Sequence, residues 1–118
     1  MRKPIHRKLE VTTSHWALIS GRSSTDELSF RSEGLQVIFN DTSTPWQDAV
    51  AHAHRESDEI YIVLEGPMVI AVNAELFTIA AGEVLCVPAG TAHQVIRVEV
   101  PHRSLVLRSP SVDDKMEV

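Results

Sequence analysis

The feature that most constrains this chain is its punctuation. Turn residues interrupt it every few positions, and no stretch keeps the 3.6-residue period of a long amphipathic helix. Short apolar or alternating runs lie at 9–11, 16–19, 35–39, 49–52, 59–64, 68–72, 76–79, 84–87, 93–100 and 104–108. Between them stand turn clusters such as 40–45, Gly66-Pro67, Asn73-Ala74, Ala81-Gly82, Pro88-Ala89-Gly90 and Pro101-His102-Arg103. Gly and Asn supply positive φ there, and Pro removes a backbone donor. Short strands joined in this way predict an all-β sandwich or barrel. The polar stretch 20–33 reads as loop, with one helical turn over Thr25-Asp26-Glu27-Leu28.

A chain of 118 residues supports one domain with one core. The expected barrel core spans 9–108, between a flexible basic arm at 1–8 and a loosely ordered acidic tail at 109–118. A net charge of −5 argues against nucleic acid, which attracts a basic face. No apolar run is long enough for a membrane span or a signal peptide. The single cysteine, Cys86, excludes an internal disulfide, so a cytoplasmic protein with reduced thiols is expected. Cys86 itself reads as a small core hydrophobe. Exposed sheet edges on so small a barrel predict a homodimer.

The chemistry gathers in two stretches. In 52–66, His52 and His54 lie two apart on one strand and share a face. Glu59 has the opposite parity, but the polar turn Arg55-Glu56-Ser57-Asp58 lets the chain bend and restore the face. In 82–93, His93 stands where a strand restarts after Pro88-Ala89-Gly90. Three imidazoles and one carboxylate suit iron, manganese, cobalt, nickel, copper or zinc rather than magnesium or calcium. The alternative is a metal-free barrel whose histidines bond locally.

The spacing is His-x-His, four residues, Glu, six residues, Gly; then Gly, five residues, Pro-x-Gly, two residues, His. Over residues 46–97 this resembles both signature motifs of the cupin superfamily. Trp46 stands where the first motif opens with Gly, and Arg97 where the second closes with Asn. The resemblance implies a single-domain double-stranded β-helix jelly roll, with one divalent metal on His52, His54, Glu59 and His93.

Parity adds candidates around the metal. Tyr61 shares the face of Glu59 and is a candidate catalytic phenol; otherwise it packs as core. Arg97 shares the face of His93 and is a candidate clamp for a substrate carboxylate or phosphate; otherwise it is solvated. Gln36 alternates with apolar neighbours and could point into a pocket. Trp46 and Trp16 could stack on a ligand or pack at an interface. His15 and His102 are expected at the surface, as are Glu56, Asp58 and Glu65. The resemblance implies a metalloenzyme acting on a small oxygen-rich molecule, as an isomerase or epimerase, a lyase or a dioxygenase. The alternatives are a non-enzymatic module that binds or senses a small ligand, and a structural barrel with an incidental metal.

Overall fold

A computed structural model describes residues 3–12, 14–25 and 28–118. Among them are eleven strands and no helix: β1 (Trp16–Gly21), β2 (Phe30–Arg31), β3 (Gln36–Thr42), β4 (His52–His54), β5 (Asp58–Glu65), β6 (Met68–Val72), β7 (Glu75–Ile79), β8 (Val84–Val87), β9 (His93–Val98), β10 (His102–Ser109) and β11 (Lys115–Glu117). The helical turn expected at 25–28 rests on residues outside the described ones. The strands form a six-stranded sheet, β2-β1-β3-β10-β5-β8, and a five-stranded sheet, β11-β4-β9-β6-β7. Neighbours are antiparallel except β1 and β2. The architecture is the double-stranded β-helix jelly roll, all-β as the turn pattern requires.

The core lies between the sheets and follows from strand alternation. On β5, Glu59, Tyr61 and Val63 are buried while their neighbours are not. Tyr61 and Val63 pack against Met68, Ile70, Ile79, Val87, Val95 and Val98. Each fully buried aliphatic side chain contributes on the order of 1.5–3 kcal/mol. Antiparallel pairing also stacks inward residues into rows across the larger sheet. Gln36, Arg108, Glu59 and Val87 form one row; Ile38, Val106, Tyr61 and Leu85 form the next.

Turn chemistry matches local geometry at two positions. Asn73, at φ 53°, makes the two-residue loop between β6 and β7 with Ala74. Gly66, at φ 72°, ends β5, and a Cβ there would run into the Glu99 and Pro101 carbonyls.

Several expectations need correction. No strand forms at 9–11. β3 runs through Thr42, into the stretch expected to turn. The tail is not loose, because β11 pairs with β4 along Lys115–His54, Met116–Ala53 and Glu117–His52. Cys86 is exposed, because edge strand β8 turns it and Val84 away from the core. His102 is fully buried, with Nδ1 2.8 Å from the Gly66 carbonyl and Nε2 2.8 Å from Ser104 Oγ. Among the described residues no helix is long and apolar enough to cross a membrane.

Candidate metal centre

His52, His54 and His93 come from the five-stranded sheet, and Glu59 faces them from the six-stranded one. Pairing of β4 with β9 sets His52 opposite His93, their ring centroids 4.4 Å apart. His54 lies on the same face of β4, 5.4 Å from His52 and 5.8 Å from His93 by ring centroid. The bend over Arg55 and Glu56 then lets β5 start with Glu59 pointing inward, as the polar turn predicts. All four side chains are buried, and one ligand atom from each lies within 4.8 Å of the others.

The donor chemistry fits a cation. His93 Nδ1 lies 2.9 Å from the Thr91 carbonyl, which only accepts, so that nitrogen carries the proton. The bare Nε2 of the same ring then faces Glu59 Oε1 at 2.7 Å. Two lone pairs so close require a cation between them, either a proton or a metal ion. Glu59 Oε2 lies 3.5 Å from His54 Nε2 as well. Tyr61 completes the floor by donating its hydroxyl to Glu59 Oε1 at 2.7 Å.

Electrostatics follow from these contacts. Burial alone would raise the Glu59 carboxyl, but bonds from His54, His93 and Tyr61 outweigh it and hold the group well below the usual carboxylate range. Burial lowers His93, yet the Glu59 carboxylate and the Thr91 carbonyl reverse this and raise it. Burial and the neighbouring His93 lower His52. Burial and then the Glu59 charge push the Tyr61 phenol well above its ordinary value, so it stays protonated.

A cavity of about 420 Å³ opens above this floor. Gln36, Trp46 and Tyr61 line it, together with His15, Asp48 and Arg108. His15 is not a bare surface residue: it stacks on Trp46 at 4.2 Å, and burial lowers its imidazole against the opposing pull of Asp48. Trp16 reaches the rim while remaining 46% exposed.

Arg97 does not join them. The register slips between Val69–Arg97 and Ile70–Val95, leaving Ile96 as an extra residue on β9. This β-bulge moves the inward positions from His93 and Val95 to Val98 and leaves Arg97 exposed. A second hollow, about 480 Å³, lies under the N-terminal arm between Ile5, Leu9 and Ile19. It brings together no cluster of metal-ligating side chains among the described residues.

Parity and spacing do not reveal Asp114 or Arg108. Asp114 Oδ1 lies 3.1 Å from His54 Nδ1, and its Oδ2 accepts from the backbone amides of Glu56 and Ser57 and from Ser57 Oγ. Burial would raise this carboxyl, but those donors bring it down to about 2. Arg108 donates to Asp114 Oδ1 at 3.0 Å and to Gln36 Oε1 at 2.9 Å. Its Nε is buried without a hydrogen-bond partner among the described residues, as are Trp46 Nε1 and His52 Nδ1.

Comparison with known proteins places the fold. Residues 42–103 match the cupin domain family. An uncharacterized protein of Streptomyces coelicolor is 42% identical over 53 residues, covering 45% of this chain and 50% of that one. The chain therefore spans about half the length of the curated relative it matches. KdgF from Halomonas superposes with a TM-score of 0.66 at 18% identity, covering 84% of this chain and 80% of that chain. The DMSP lyase DddQ from Ruegeria pomeroyi gives 0.68 at 18%, covering 87% and 50%. The nucleoside dehydratase Pac13 gives 0.63 at 15%, covering 95% and 92%; a Streptomyces form of it holds uridine.

Proposed function

The chain belongs to the cupin family, and on that premise we propose that it is a metal-dependent enzyme acting on a small oxygen-rich substrate by proton transfer, as a lyase or isomerase. The carrying observation is the convergence of four buried ligand atoms within 4.8 Å at the floor of a cavity. His52, His54, His93 and Glu59 would hold one divalent transition metal. When bound, that ion supplies Lewis acidity toward a substrate oxygen.

The chain's own residues then divide the remaining work. Tyr61 stays protonated and holds the Glu59 carboxylate in place through its hydroxyl. His15, kept neutral by burial, is assigned to accept a proton from the substrate, because it lines the same cavity. The stacked His15–Trp46 pair offers a flat wall against which a planar substrate would lie. Proton-transfer chemistry is favoured over dioxygenation because a neutral base stands in the cavity, and a lyase and a dehydratase are among the proteins of similar fold. Leu64 and Val84, 49% and 56% exposed on the outer face of the larger sheet, support a homodimer.

Metal analysis of protein purified without a nickel resin tests the reading. One equivalent of a transition metal is expected, and His54→Ala should lose it while staying soluble and folded. Wild-type protein that takes up no metal, even when it is supplied, would remove the basis of the proposal. Protein that holds metal and a small ligand but turns nothing over would be a binding module.

A further inference from the structure

Two fixed charges contest one imidazole of the metal centre. His54 Nδ1 lies 3.1 Å from Asp114 Oδ1 and 2.7 Å from Arg108 Nη1. A carboxylate only accepts hydrogen bonds and a guanidinium only donates them, so one ring nitrogen cannot satisfy both. With its proton on Nδ1, His54 donates to Asp114, and Nε2 keeps a lone pair toward Glu59 Oε2. With Nδ1 bare, it accepts from Arg108, and the proton moves to Nε2, where it blocks a metal ion.

We propose that Asp114 is the positioning residue that makes His54 a ligand, and that Arg108 opposes it, so that the pair sets metal affinity in opposite directions. This rests on the metal-centre reading above. Both groups are built in rather than incidental. Three donors pin Asp114 Oδ2, which leaves Oδ1 aimed at the ring. Arg108 is held by Gln36, and its Nη1 already reaches Asp114 Oδ1. Arg108 therefore surrenders the ring without losing all its bonds, and Asp114 takes both donors on one oxygen. Carboxylates behind metal-bound imidazoles fix tautomer and ring orientation in this way.

Zinc affinity by chelator competition, with long-range 1H–15N NMR of the metal-free protein, tests the pair. Asp114→Ala should weaken zinc binding by about 10- to 100-fold. Adding Arg108→Met in that background should recover much of the loss, since nothing then locks the wrong tautomer. Ser57→Ala removes one donor from Asp114 Oδ2 but keeps the Asp114–His54 contact, so it should leave affinity within about threefold of wild type, well short of the loss in Asp114→Ala. In the metal-free spectra, His54 should carry its proton on Nε2 in Asp114→Ala and on Nδ1 in Arg108→Met. Unchanged affinity in Asp114→Ala, an equal loss in Ser57→Ala, no recovery in the double variant, or the same tautomer in both single variants would each overturn the proposal. Wild-type protein that binds no zinc would sink the metal-centre reading instead, and the spectra would still decide the tautomer.

Discussion

Gly66 and Gly82 share a backbone conformation but not their surroundings, and replacing each with alanine separates two costs. Both sit in the left-handed region, at φ 72° and 85°. An L-residue pays roughly 1–2 kcal/mol there, less a few tenths for the stiffer unfolded chain. Nothing lies within 4 Å of a Cβ at Gly82, so Gly82→Ala should cost about 1 kcal/mol. At Gly66 the new methyl meets two backbone carbonyls, Glu99 and Pro101, and neither can swing aside as a side chain would. The chain must move there, and the same residue's carbonyl is the acceptor for buried His102. Losing that bond costs roughly 1–3 kcal/mol. Gly66→Ala should therefore lose about 4 kcal/mol, or lower the melting temperature by roughly 15 °C. Urea denaturation of the metal-free variants reads both values. A Gly66→Ala loss within about 1 kcal/mol of Gly82→Ala would refute the steric argument, because only the shared φ cost would remain.

Tyr61→Phe removes one donor from Glu59 and should destabilise the metal-free protein by about 1–2 kcal/mol in urea denaturation; the same variant should bind zinc roughly tenfold more weakly in chelator competition. Asp114→Asn should be less stable than wild type at pH 7. Because the folded carboxyl is depressed to about 2, its stabilisation is complete above its ordinary value of 3.8 and is lost as pH falls toward 2. The gap between the two proteins' melting temperatures should close across that window, and a constant gap would refute the assignment.

What was legible in the sequence was local. His52 and His54 share a face by strand parity, and the polar bend after them resets Glu59, because both effects act within a few bonds. Arg97 follows the same parity on paper but misses the cavity, because one bulged residue at Ile96 inverts every position beyond it. Cys86 and Val84 look like core because they are apolar, yet β8 is an edge strand with one face outward. Asp114 lies 60 residues from His54, in a stretch whose composition reads as solvated tail. Its role comes from β11 crossing to pair with β4, which is a property of topology and leaves no periodic trace.

The two sheets contribute unequally to the centre, and that bears on what a metal held there would do. Three candidate ligands ride on the five-stranded sheet, and Glu59 alone reaches across from the other, so an ion there would tie the sheets together. Binding energy at such a site adds to folding energy, by about 2.7 kcal/mol when free metal is a hundredfold above its dissociation constant. The sheets do not depend on it, however. Val63, Met68, Ile70 and Val95, each almost fully buried, already join them beneath the site without polar partners. The His93–Glu59 contact can also take a proton in place of the ion, as the raised His93 and depressed Glu59 indicate. A protein built this way should survive chelation as a folded barrel with a lower melting temperature, read by calorimetry with and without chelator. Collapse of the barrel on chelation would instead mean that the fold is held by its metal.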